Sequence, residues 1–273
     1  MYKLVLCHRI KAGLDHNKFH DHWQRVRSAL VLQLHSAMGY SSYEQTHASS
    51  RLNPLYLSIL LSRSRLVTSL LASNKLPPNS SPDREERWDV TDEFGFASVD
   101  ALVQAFLSDA GGETAQRLIE DQAPWVRRTA VVTAEEFIDA PDPAPAPVET
   151  RTTFFLRRRP DLTRDQMLSY WGTTHKQLVL SLQADLKYRA YNQLHARSIP
   201  DSAAVAQRLQ ASPGEEFDGV AELCFTNEWV VLGGIFNPRT EVANLKLVKN
   251  ELNFMNEQRS ELVFGNHYRF LVK

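Results

Sequence analysis

"YEQTH" at residues 43–47 and "YNQLH" at residues 191–195 are the same Tyr-x-Gln-x-His pentapeptide, each following a helix-like stretch that holds a tryptophan. Placing Trp23 on Trp171 sets an offset of 148 residues, which also carries Leu30, Val31, Leu32 and Leu34 onto Leu178, Val179, Leu180 and Leu182. Without a gap it then carries Tyr40, Tyr43, Gln45, His47, Ala48 and Ser50 onto Tyr188, Tyr191, Gln193, His195, Ala196 and Ser198. So dense a match at one spacing reads as an internal duplication. A weaker match puts "WDVTDEFGF" from Trp88 on "FDGVAELCF" from Phe217, at an offset of 129. The fall in offset means that the first copy has the longer insertion, residues 51–87 against 199–216.

Each copy reads strand, helix, strand, insertion, strand, helix, strand. In the second, "RTTFFLRRR" is strand-like, and Thr163 with Gln166 forms a capping-box pattern. That box opens a helix with Met167, Trp171, Leu178 and Leu182 on one face. "YRAYNQLHA" alternates with period 2, "GVAELCF" is a strand, and "NHYRFLV" is the last one. From "EWVVLGGIF" to "KLVKNELNFM" the pattern is helical, with breaks expected at Gly233, Gly234 and Pro238. The expected fold class is α+β, two tandem ferredoxin-like βαββαβ repeats. One such sheet has helices on a single face, so its other apolar face needs cover, and a second copy supplies it as an intramolecular barrel. The alternating prolines of "APDPAPAPVE" read as an extended spacer. The expected organisation is therefore a first repeat over 1–139 with a helical insertion at 51–87, a linker over 140–150, and a second repeat over 151–273.

With 273 residues, 31 Lys and Arg, 32 Asp and Glu and a formal net charge of −1, the chain has no overall pull toward nucleic acid or anionic lipid. Its 43% hydrophobic and 10% aromatic residues are ordinary for globular cores. Cys7 and Cys224 sit in apolar strand-like runs, which suits a reducing, cytoplasmic setting. The N-terminus lacks the apolar core of a signal peptide, and the most apolar run is broken by Arg63 and Arg65, so no membrane span is expected.

The candidate chemistry lies in a few side chains. Tyr191, Gln193 and His195 project from one strand face, as do Tyr43, Gln45 and His47, and a phenol, an amide and an imidazole in a row can orient a substrate and move a proton near neutral pH. His175 follows Trp171 by four residues and sits at the edge of the apolar stripe, while the offset puts Arg27 at the matching place in the first copy. Asp92 interrupts the apolar series Trp88, Val90, Phe94 and Phe96, where burial would raise its pKa, and its counterpart is Ala221. Glu222 and Asp218 fall on the opposite phase and are expected to face solvent. The run Arg157 to Arg159, with Arg9 and Lys11, reads as a solvated edge. His16 and His20 have a chelating spacing but no zincin glutamate, so no metal site is expected. The sequence does not decide against haem, for which any one histidine would serve. Neither a phosphate loop nor a nucleophile elbow is present.

These residues resemble the EthD domains of the dimeric α/β-barrel superfamily. There a helix with Trp-x-x-x-His leads through an apolar turn to a strand like Tyr-x-Gln-x-His, as "WGTTH" (171–175) leads to "YNQLH" here. "DGVAEL" (218–223) and "KNELNFM" (249–255) resemble the family's third strand and second helix. The resemblance implies a cofactor-independent lyase or isomerase of the dehydratase, decarboxylase or cyclase type. It would act on a small aromatic or polyketide-like molecule in secondary metabolism or aromatic catabolism. His175 would be the general acid/base, and Tyr191 and His195 would position or protonate. Trp171, Gln193, Gln45, Asp92 and Trp88 would contact substrate. His47 and Tyr43 would play the parallel part in the first copy, with Arg27 stabilising an anion. A haem- or oxygen-dependent oxidase or monooxygenase of the same superfamily, a non-catalytic binding module, and a homodimer of this pseudo-dimeric chain stay open.

Overall fold

A computed structural model describes residues 1–49, 88–142, 148–213, 217–235, 237–256 and 259–270. The insertion expected at 51–87 and the centre of the expected linker, 143–147, lie outside the described residues. The chain begins with strand β1 (Tyr2–Ile10) and helix α1, which runs in four pieces, His16–His22, Trp23–Arg27, Ser28–Gln33 and His35–Met38. Strands β2 (Ser42–Ala48) and β3 (Val90–Phe96), helices α2 (Val99–Leu107) and α3 (Asp109–Gln122), and the long strand β4 (Val126–Ala140) follow. Then come β5 (Val148–Leu156) and helix α4, again in four pieces, Arg164–Tyr170, Trp171–His175, Lys176–Ser181 and Gln183–Leu186. Strand β6 (Ala190–Ala196), helix α5 (Ser202–Arg208), the two-residue β7 (Ser212–Pro213), β8 (Gly219–Phe225), α6 (Glu228–Ile235), α7 (Pro238–Glu251) and β9 (Glu261–Phe270) complete it.

Eight strands close into an antiparallel barrel in the order β1-β3-β2-β9-β5-β8-β6-β4, and β4 returns to pair with β1. The order β4-β1-β3-β2 is repeated as β9-β5-β8-β6, and the seams are β2 with β9 and β4 with β6. Helix starts obey local chemistry. Asp15 caps α1, Thr163 and Gln166 form the capping box of α4, and Asn237 with Pro238 opens α7. In α1 and α4 the second piece, Trp23–Arg27 and Trp171–His175, is a π turn at the same offset of 148, a local widening that recurs at functional sites. Both helices end on a left-handed residue, Gly39 and Lys187, also 148 apart.

Strand alternation sends one phase to the helices and the other to the barrel interior. Leu4 and Leu6 pack with Phe106 and Leu118 of α2 and α3, and α5 joins that layer through Val205 and Ala206. Met167, Trp171 and Leu182 of α4 pack with Tyr191, Leu247 and Phe254. The interior phase includes Val5, Cys7, Val132, Phe155, Leu194, Val220 and Val263, with Trp88 and Phe217 in the same cluster.

The rest of the interior corrects the expectation that the covered face is simply apolar. Arg151 Nη1 donates to Glu222 (2.8 Å) and Glu93 (3.1 Å), and Nη2 donates to Glu44 (3.2 Å). Lys3 lies 3.4 to 3.7 Å from Glu44, Glu136 and Glu93. Burial and the neighbouring Glu222 push Glu93 up to about 8. Glu222 and Asp218 are buried, not solvent-facing, because a closed barrel under a helix layer leaves no wet strand face. The basic run is likewise more than a solvated edge. Arg158 and Arg164 bind Asp218, Arg157 stacks over Phe217, and Arg9 stacks over Trp88 while pairing with Glu261.

Two smaller corrections concern boundaries. Gly233 and Gly234 lie within α6, and the break falls after Ile235; residues 148–150 of the expected linker already belong to β5. Cys7 and Cys224 are free and buried. Among the described residues no helix is long and apolar enough to cross a membrane.

Candidate active site

The helix-facing row of β6 is a chain of hydrogen bonds. His195 Nε2 and Gln193 Oε1 are 2.8 Å apart, and Gln193 Nε2 donates to the Tyr191 oxygen (2.6 Å) and the Trp171 carbonyl (3.1 Å). Trp171 is fully buried, stacks on His195 at 4.7 Å between ring centroids, and fits because residue 219 is glycine. A Cβ there would strike the indole ring. Between this strand and α4, α6 and α7 lies a cavity of about 90 Å³, whose walls include Leu156, Trp171, His175, Tyr191, Ala221 and Glu251.

The π turn of α4 brings His175 to this cavity. Its Nδ1 is 2.9 Å from Asn250 Oδ1, and Asn250 Nδ2 donates to the Tyr170 oxygen at 3.0 Å. With the amide so turned, Nδ1 carries the proton and Nε2 keeps its lone pair. Burial lowers the imidazole to about 4, against the smaller upward pull of Asn250, so it is neutral at pH 7. Burial holds the Tyr191 phenol well above its ordinary range. A neutral imidazole base and a protonated phenol on one wall can take a proton from one atom of a bound molecule and hydrogen-bond another.

The first half has the same framework with its centre filled. Asp92 is completely buried, and its carboxylate accepts from Tyr43 Oη (2.7 Å), Trp23 Nε1 (3.2 Å), Gln45 Nε2 (3.2 Å) and Arg27 Nε (3.3 Å), with His8 Nε2 also at 3.3 Å. The expected raised pKa is corrected. Burial alone would raise it, but Arg27, His8 and Tyr43 hold the carboxyl well below the usual carboxylate range. Arg27 also reaches the Leu118 carbonyl (2.7 Å) and Asp121 (3.4 Å).

Strand register makes the comparison residue by residue. Asp92 pairs with Leu6 and Gln45, and Ala221 pairs with Phe154 and Gln193, so Ala221 stands where Asp92 does. Leu156 likewise stands for His8, across from Gly219 as His8 is from Val90. The ion pair Arg27–Asp121 becomes the neutral pair His175–Asn250. Removing a carboxylate and shortening a guanidinium leaves the space that is the cavity.

Of the residues singled out from sequence, Trp171, His175 and Tyr191 share the cavity, with Gln193 and His195 behind them. Tyr43, Gln45, Arg27 and Asp92 share the filled centre. His47 bonds Gln45 (2.8 Å) and lies 5.2 Å from His20; burial, then His20, lower it to about 3. Burial, then Arg197 and Lys176, lower His195 to about 4. Trp88 belongs to neither centre, being on the barrel interior. Sequence reasoning missed His8, Asp121, Asn250 and Tyr170. The offset of 129 does carry Asp121 onto Asn250, and that was the available signal. Among the described residues no group of three or more metal-ligating side chains occurs.

A closed eight-stranded α+β barrel with its cavity between sheet and helices defines the class. The EthD domain model matches residues 11–129 and 159–255, more than half of the chain, and the chain belongs to that family. A comparison with curated proteins finds no match. Among solved structures, an anthrone oxidase-like protein is 8% identical at a TM-score of 0.55, covering 99% of this chain and 91% of its own. A protein described as a candidate chlorite dismutase is 10% identical at 0.48, covering 98% and 94%. One from Lactobacillus acidophilus described as a candidate monooxygenase is 8% identical at 0.45, covering 98% and 92%. At these identities the first of them is a likeness of fold.

Proposed function

We propose that this protein is a small-molecule enzyme that moves a proton on a compact, largely apolar substrate held in the second half. The reaction belongs to the lyase or isomerase type, among dehydration, decarboxylation and cyclisation, and needs no organic cofactor. His175 Nε2 is the base, Tyr191 is the hydrogen-bond donor, and Trp171 forms the wall. The observation that carries this reading is the neutral His175, tied at Nδ1 to Asn250, beside Tyr191 in an apolar cavity.

The two halves, 1–139 and 151–273, are tandem ferredoxin-like repeats on this reading. The repeated strand order and the paired π turns support it. The first repeat, with its cavity filled, closes the barrel.

The test is incorporation of solvent deuterium into a panel of small aromatic and polyketide-like ketones by the purified protein. His175→Gln is expected to slow exchange at least 100-fold, the scale of a lost general base, while His47→Gln leaves it within a few-fold. Equal losses in both variants would overturn the assignment to the second half. Oxygen consumption or a Soret band would replace the reading by an oxidase.

A further inference from the structure

In the first half one carboxylate oxygen of Asp92 receives Tyr43 Oη and Gln45 Nε2, and Trp23 Nε1 reaches the same carboxylate. The second half keeps all three donors but has Ala221 in the acceptor's place. There Trp171 Nε1, fully buried, has no hydrogen bond of full geometry among the described residues, and the group it approaches is the Tyr191 phenol, itself a donor. The Tyr191 oxygen accepts from Gln193, and among the described residues nothing accepts its proton. Ala221, Tyr191 and Trp171 all line the cavity. Opposite them, Nε of Arg27 and Nε2 of His175 are each the fourth atom out from Cα. Each side chain uses another nitrogen on the matched residues Asp121 and Asn250.

We propose that the second half holds a substrate oxyanion where the first half holds the Asp92 carboxylate, and that its substrates are enolisable carbonyl compounds. The inference rests on the proposed function above. His175 Nε2 takes a proton from the carbon beside the substrate carbonyl. The C–H electron pair becomes the new C=C bond and the carbonyl π pair moves to oxygen. That oxygen accepts from Trp171 Nε1 and Tyr191 Oη, and the new imidazolium faces it as Arg27 faces Asp92. The proton later returns from Nε2 to the product, so no co-reactant is needed. Charge appears only as a compensated pair, which avoids the cost of an isolated buried ion. The other titratable groups lining the cavity are Tyr191 from β6 and Glu251 from α7, and Tyr170 of α4 stands behind Asn250.

The probe is 4-nitrophenol, whose phenolate absorbs visibly. Wild-type protein is expected to bind it as phenolate at a pH where the free probe is protonated. Trp171→Phe and Tyr191→Phe should each weaken binding roughly tenfold. Ala221→Asp should abolish binding and raise the His175 titration seen by NMR. Ala221→Asn should block the probe and leave that titration in place, which separates charge from crowding. If Ala221→Asp does not fold, the two phenylalanine variants decide the matter. Binding only as neutral phenol, or unchanged affinity in both phenylalanine variants, overturns the oxyanion site. Should His175→Gln still stop deuterium exchange in that event, the proposed function stands without it; if His175→Gln leaves exchange intact, the function itself falls.

Discussion

Asp92→Ala removes the acceptor at the centre of the first half. Arg27, whose side chain is completely buried, keeps the Leu118 carbonyl, Asp121 at 3.4 Å and the Trp23 ring. Trp23 Nε1 loses its bond as well. Breaking a buried ion pair costs roughly 3–5 kcal/mol, and an orphaned buried donor pushes toward the upper end. At about 2–4 °C per kcal/mol for a chain of this size, the melting temperature should fall by roughly 6–20 °C. Arg27→His alone should cost about as much, because it strands the carboxylate. The double variant Asp92→Ala with Arg27→His reproduces the pairing of Ala221 with His175 and leaves neither charge unpaired. Its cost should be smaller than the sum of the two by about 2–3 kcal/mol. Asp92 is held below its unfolded value, so its contribution is full above the ordinary carboxylate range and fades as pH falls below it. The penalty of Asp92→Ala should therefore shrink in acid. Urea and thermal melts of the four proteins measure the cycle. Additivity within about 0.5 kcal/mol would refute the view that the pair acts as one unit.

Two further outcomes follow from shifted groups. Glu93 is pushed up to about 8 from an ordinary 4.5, so across that window the native state holds a proton that the unfolded chain has lost, and stability falls as pH rises. Glu93→Gln should flatten that slope in melts from pH 5 to 8, and an unchanged slope would point to another group. Asn250→Asp places a carboxylate 2.9 Å from Nδ1 and should raise His175 from about 4 by roughly one to three units, read by NMR titration. An unmoved titration would show that residue 250 does not govern the imidazole.

The matching of strand positions was legible because spacing survives where side chains change. The offset of 148 set Tyr191, Gln193 and His195 on Tyr43, Gln45 and His47, and the strand registers follow it. It also flagged His175 against Arg27, the exchange on which the cavity depends. Burial of Glu222 and Asp218 was not legible, since alternation along β8 is read against one dry face and one wet face. Val220 and Glu222 face the barrel interior while Ala221 and Leu223 face the helices, so both phases are covered. For Asp92 the desolvation was foreseen but its answer was not. Arg27 arrives from a helix 65 positions earlier, and no local pattern announces a contact across that distance. The interior carboxylates around Arg151 gather from β2, β3 and β8 in the same way.

A barrel assembled from two identical subunits repeats every substitution across its axis. A carboxylate that filled one centre would fill the other, and a base gained in one would be gained in both. In this chain the seams of β4 with β6 and of β2 with β9 join unlike strands of a single polypeptide. Positions 92 and 221 can therefore differ, as can 27 and 175. One half is free to be solid and carry the load of stability, and the other to be hollow and bear the cost of an unfilled centre.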